Sequence, residues 1–216
     1  MNKNIKKYFL EFLGTFILLL SIVGSGIMGA NLSNNESVTL IANAISIGLI
    51  LFVLISSFRS ISGAHFNPAV TIMLVLMKKM KFQDGIVYIF LQITGACLGV
   101  IFANYLFGLD AIQQAAKIRS GESIFVSEIF ATFGLLFLIL LNERKSDFAI
   151  GSVIGSYITS AIWFTSSTSF ANPAVSIARS LTDTFTGIHF SNVPMFIIAQ
   201  LISIGLVLIV FKKIFK

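Results

Sequence analysis

Charge is what this sequence has least of. Only 11% of its 216 residues are Asp, Glu, Lys or Arg, against about a quarter in a soluble globular domain. Hydrophobic residues make up 56%, and the mean hydropathy is +0.93. A chain this apolar cannot cover itself with polar surface, which excludes a soluble domain and leaves lipid as the solvent. Cysteine is almost missing. Cys97 stands alone in an apolar run, so neither an intrachain disulfide nor a cysteine metal cluster is available. The 9 acidic residues and 2 histidines form no grouped acid, base, nucleophile or metal-ligand set. That argues against an enzyme, and no cofactor or metal is called for. The 22 phenylalanines suit lipid contact and helix packing and need no bound group to explain them.

What is present is length without polarity. Six apolar runs are expected to span, at 8–29, 38–58, 83–107, 123–141, 148–166 and 193–211. About 20 residues of helix cross roughly 30 Å of hydrocarbon. The first run is too long for a signal-peptide core and has no small-residue cleavage site, so it is read as a span. Two further apolar stretches, 67–77 and 172–181, are too short to cross and read as re-entrant half-helices. The net charge of +6 does not indicate a nucleic-acid partner, because the basic residues sit at segment ends. Lys3, Lys6, Lys7, Arg59, Lys78, Lys79, Lys81, Arg144, Lys145, Lys212, Lys213 and Lys216 fall on one side. Lys117, Arg119 and Arg179 fall on the other. The positive-inside rule then puts both termini in the cytoplasm, as expected for a multi-pass protein of the cell (inner) membrane.

The chain also repeats itself. The run around Glu11, Thr15 and Phe16 is echoed around Glu128, Thr132 and Phe133; Asn67-Pro68-Ala69-Val70 returns as Asn172-Pro173-Ala174-Val175; Gln92 returns as Gln200. Residues 1–108 and 123–216 are therefore read as two repeats, joined by an outside linker at 109–122. Each repeat has an odd number of spans, so the second enters the membrane inverted, and inverted repeats place their functional site near the midplane.

Asn-Pro-Ala suits the start of a half-helix. Asn caps with its side-chain oxygen, Pro fits the first helical position, and Ala admits a neighbouring backbone. The NH₂ groups of Asn67 and Asn172 are then expected to remain free as donors. Two such helices meeting N-terminus to N-terminus aim two positive dipole ends at one point, which disfavours cations, a hydrated proton included.

The stretch Ser62-Gly63-Ala64-His65-Phe66-Asn67-Pro68-Ala69-Val70-Thr71 resembles the first signature of the aquaporin (major intrinsic protein) family. The resemblance covers nearly the whole chain. It implies an all-α membrane protein of aquaporin-like fold, a homotetramer in the lipid bilayer, and a pore for water and small neutral solutes in each subunit. It also implies that Glu11 and Glu128 support the re-entrant loops, a role that irregular backbone at membrane depth requires; direct contact with solute is the other reading. His65 is expected to shape its loop beside the inner vestibule.

One departure matters. Most members of the family place Arg directly after the second Asn-Pro-Ala, where this chain has Val175. Carrying the constriction over by spacing gives Ile47, Ser160, Ser169 and Val175, a set without aromatic ring, His or Arg. Such a lining suits glycerol-like polyols, with drift in a degenerate channel as the bland reading. Arg179, one turn beyond Val175, either supplies positive potential at the outer vestibule or pairs with Asp183. The run from Phe170 to Ile188 resembles bacterial members encoded beside arsenic-resistance genes, which implies arsenite, As(OH)₃, as a candidate solute. A strict water channel, a proton-coupled secondary transporter and a non-conducting scaffold are the rivals.

Overall fold

The helices run further than the hydropathy does, because a helix ends at its caps rather than at the edge of the hydrocarbon. The computed structural model describes residues 3–215, with side chains from residue 4 onward. Lys216 and the side chain of Lys3, both counted above, lie outside the described residues. In order the chain forms α1 (Lys3–Leu32), α2 (Glu36–Ser62), α3 (Pro68–Leu76), α4 (Phe82–Leu106), α5 (Glu122–Asn142), α6 (Asp147–Phe164), α7 (Pro173–Ala178) and α8 (Val193–Phe215). No strand occurs among the described residues. All except α3 and α7 are long and apolar enough to cross a membrane, giving six spanning helices. Asn35 opens α2 by accepting from Ser37 N at 2.9 Å. Gly63, at φ 91°, ends it with its N–H on Arg59 O at 2.9 Å.

Both short helices reach the same helical length by different means. Helix α3 is α-helical for 9 residues. Helix α7 is α-helical for only 6, and a 3₁₀ turn over Arg179–Leu181 adds 3 more. Poorer 3₁₀ bonding is common where a helix is forced to stop.

Two helix pairs approach so closely that only glycine fits. A Cβ on Gly95 of α4 would sit 2.4 Å from Phe12 O of α1, and one on Gly99 would sit 2.4 Å from Phe16 O. Gly48 of α2 and Gly155 of α6 are matched in the same way, with a Cβ on Gly155 only 2.5 Å from Gly48 O. Small residues at helix contacts let backbones pack where lipid supplies no hydrophobic drive. Ion pairs staple one end of the bundle, where both termini lie. Arg59 meets Asp147 at 2.6 Å, Lys7 meets Asp84 at 3.0 Å, and Lys79 pairs with Glu143.

Candidate functional site

The two Asn-Pro-Ala segments meet in the middle of the bundle and are tied across. Asn67 accepts from Ala69 N at 2.8 Å, and Asn172 from Ala174 N at 2.9 Å. Asn67 Nδ2 donates to Ala171 O at 2.7 Å, while Asn172 Nδ2 donates to Phe66 O at 2.8 Å. Asn caps each half-helix and Pro takes its first turn, as the sequence implies. The expectation that both NH₂ groups stay free is corrected: each spends one hydrogen on the opposite loop and keeps one.

The residues before each cap take a backbone that side chains resist. Ala64 and Phe66 have φ of 50° and 48°; Ser169 and Ala171 both have 47°. Left-handed backbone costs roughly 1–2 kcal/mol per non-glycine residue. A buried carboxylate holds each loop in it. Glu11 accepts from His65 N at 3.0 Å and Phe66 N at 2.9 Å. Glu128 accepts from Phe170 N at 3.2 Å and Ala171 N at 2.7 Å. Gln92 and Gln200 orient these carboxylates at 2.8 Å and 2.6 Å, and each also donates to a hydroxyl of its half-helix, Thr71 or Ser176, at 3.0 Å.

A cavity of about 610 Å³ passes this junction and opens toward both ends of the bundle, from Arg59, Glu143 and Asp147 to Lys117, Arg119 and Phe185. Its lining includes Asn67, Asn172, His65, Ile47, Ser169, Val175 and Arg179. Ser160 is not part of it. It is exposed on the outer face of α6, its hydroxyl donating to Ser156 O at 2.9 Å. The lining positions of α6 are Ile150, Ile154, Ile158 and Ile162, four residues apart. Two residues are about 200° of helix, so Ser160 is turned away. The cavity is also lined by Gly63, Ala64, His65, Thr168, Ser169 and Phe170, whose carbonyls accept no hydrogen bond among the described residues.

The mouth opposite the termini also departs from expectation. Beside Ile47, Ser169 and Val175, which the spacing argument assigned to the constriction, the lining there includes Phe170, Phe185, Trp163 and Arg119, which it did not name, and Arg179, which it placed at the vestibule. Arg179 is 7% exposed. Its Nε donates to Thr186 O at 2.5 Å, and its guanidinium carbon lies 3.6 Å from the centre of the Phe170 ring. Asp183 is not its partner, since that carboxylate accepts from Ala116 N at 2.9 Å. Arg119 was read only as a linker charge. The linker instead packs on the chain after α7, with Gln113 N on Leu181 O at 3.1 Å and His189 N on Lys117 O at 2.8 Å. That delivers Arg119 to Gly187 O at 3.0 Å and within 5.5 Å of the Phe170 ring. The scarcity of basic residues on that side was the available signal. His189 itself caps the 3₁₀ turn over Phe190–Asn192.

Residues 1–167 match the family described as "Major intrinsic protein". The aquaglyceroporin AqpS of Rhizobium meliloti (strain 1021) is 43% identical over 192 residues, 89% of this chain and 82% of that protein. Aquaporin NIP3-1 of Arabidopsis thaliana is 33% identical over 82% of this chain and 58% of its own length. In fold, the crystal structure of the aquaglyceroporin from Plasmodium falciparum superposes with a TM-score of 0.80, at 23% identity, covering 98% of this chain and 96% of that one. The chain is a multi-pass membrane protein of a channel class. It belongs to the major intrinsic protein family, whose members conduct water and small solutes such as glycerol.

Proposed function

We propose that the chain is a passive channel for water and small uncharged solutes, including polyols and, by the chemistry of a neutral triol, As(OH)₃. The observation that carries this reading is the amphipathic cavity. The isoleucine row of α6 gives one apolar wall, and the two loops add residues whose carbonyls are unpaired among the described residues. A polyol puts CH surface on the first and donates its hydroxyls to the second. At the junction the remaining hydrogens of Asn67 and Asn172 donate to the passing oxygen and turn its own hydrogens outward. A proton relay needs a water that accepts on one side and donates on the other, so this arrangement interrupts it. Two helical N-termini aimed at the same point add positive potential.

In this reading Ile47, Ile158, Ile162 and Val175 shape the neutral lining, Ser169 adds polarity beside them, and Arg179 supplies a donor and charge further out. Glu11 and Glu128 are occupied by loop N–H groups, so neither stands as a free carboxylate for proton coupling. No catalytic step is proposed. Twelve of the fifteen basic residues lie on the side of the termini, which supports cytoplasmic termini; a homotetramer follows by family likeness.

The aromatic rings and guanidiniums at the far mouth favour a second reading, a channel that passes water alone. Liposome flux separates the two. Glycerol and arsenite entry that depends on the protein, and is unchanged by an imposed proton gradient, supports the first. Water flux without either solute supports the second, and flux that follows the proton gradient contradicts both.

A further inference from the structure

The far mouth gathers three cations, and none of them has a carboxylate partner at ion-pair distance among the described residues. Lys117 and Arg119 come from the linker, Arg179 from the turn after α7, and all three line the cavity. At the other mouth the lining charges are paired: Arg59 with Asp147, and Glu143 with Lys79 just outside the lining. Glu36 also lines the far mouth, so three positive charges face one negative one.

Arg179 is the informative member. It is nine-tenths buried, yet only its Nε is bonded, to Thr186 O. Its two terminal nitrogens donate to nothing among the described residues, while its guanidinium carbon sits 3.6 Å from the Phe170 ring centre. Its four remaining N–H hydrogens are open to the cavity rather than sealed in protein, so they are offered to whatever occupies it. Arg119 is held by the Gly187 carbonyl at 3.0 Å and by Thr168 Oγ1 at 3.4 Å, with its guanidinium carbon 5.5 Å from the centre of the same Phe170 ring. Burial, then the charge of Arg119, hold the Lys117 ammonium below its ordinary range, with Glu36 pulling the other way; burial brings Arg119 down to about 10. An anion between them would oppose both effects.

We propose that the mouth opposite the termini is a binding site for a small inorganic oxyanion, held by Arg179, Arg119 and Lys117 across the path of the solute. Planar guanidinium donors suit oxyanion geometry, and the mutual repulsion of the three cations is relieved only by negative charge. A bound oxyanion lies in the cavity that the proposed function assigns to solute, so it slows flux; the inference rests on that assignment for this second consequence alone.

The test uses the full chain, purified in detergent in sodium gluconate and titrated calorimetrically with sodium sulfate at constant ionic strength. Saturable binding at one sulfate per chain is expected, weakened roughly tenfold or more in Lys117→Gln and again in Arg119→Gln. Arg119→Lys, which keeps charge but not the fork, should fall between. Arg119 also bonds loop carbonyls, so each variant is first checked for a monodisperse elution profile. Lys117→Gln, whose ammonium touches Phe185 alone, its O at 3.2 Å and its ring centre at 4.9 Å, keeps the test decisive if Arg119 variants do not fold. In liposomes, sulfate should slow glycerol entry relative to gluconate in the parent chain, and that ratio should return toward one in Lys117→Gln. No saturable heat, or equal affinity in Lys117→Gln, overturns the site. Glycerol entry in gluconate reports the channel reading separately, so failure of one is not failure of the other.

Discussion

The two re-entrant loops are built alike where they meet and unlike where they face the two sides. At the junction each element of one has its counterpart in the other: Glu11 and Glu128, Gln92 and Gln200, Thr71 and Ser176, Phe66 and Ala171 in left-handed backbone. One residue earlier the backbones still match but the side chains do not. His65 turns its ring edge to Tyr88 at 5.2 Å and shares a 3.0 Å hydrogen bond with Thr71. Phe170, in the equivalent place, carries Arg179 on its face and packs on Phe196 at 4.6 Å. The symmetric part solves a problem both halves share, irregular backbone in a medium without water. The asymmetric part meets two different sides. Shared architecture therefore marks what holds the fold, and divergence marks where selectivity is set.

That comparison breaks most visibly through the carboxylates. Glu128→Ala leaves the N–H groups of Phe170 and Ala171 unpaired and should cost about 2–6 kcal/mol, from about 1–3 for each. Glu11→Ala should cost a similar amount, and Glu→Gln at either place less. Thermal unfolding in detergent checks this, with a fall of about 2–4 °C per kcal/mol for a chain of this size. If the two halves differ widely here, the claim of equivalent support is wrong.

Packing gives the next contrast. Gly99→Leu must push α1 from α4 and should cost about 1–3 kcal/mol. Gly205→Ala meets nothing within 4 Å and should stay within about 0.5 kcal/mol of the parent, or gain slightly. The same melting measurement decides it.

Function should follow the asymmetric side. Arg179→Ala should raise the passage of sodium or protons into liposomes without abolishing glycerol entry, as read by a trapped ion-sensitive dye; unchanged ion leak would remove Arg179 from the screening role. A finer contrast lies on α6. Ile158→Ser should shift the ratio of glycerol to water flux, whereas Ser160→Leu, on the outer face, should leave it where it was. Among the polar contacts of the two loops the smallest loss is expected at His65→Ala, about 1 kcal/mol for the hydroxyl contact, since Thr71 keeps its bonds to Asn67 O and Gln92.

Most of the architecture was readable because its signals are local or repeated. Apolar length marks the spans, Asn-Pro-Ala marks the two caps, and duplicated Glu and Gln mark the loop supports. What was hidden depends on tertiary register. Ser160 was placed by counting back from Asn172, which assumes that the segment between α6 and the cap is of ordinary length and course. The aliphatic row at Ile150, Ile154, Ile158 and Ile162 would have pointed to the lining face. The linker reads as polar and near neutral, and nothing local says that Gln113, Ala115 and Lys117 bond the chain after α7. Arg119 therefore stayed invisible as a pore residue. The cross-tie between the Asn side chains and the opposite loops is likewise a contact between distant halves, and no spacing within either half reveals it.

The most direct test of the central claim is light scattering from proteoliposomes after a hyperosmotic shock, comparing sucrose with glycerol. The account predicts fast protein-dependent shrinkage in both and protein-dependent reswelling in glycerol alone. Fast shrinkage with no reswelling would contradict it, showing that the far mouth passes water but not a polyol.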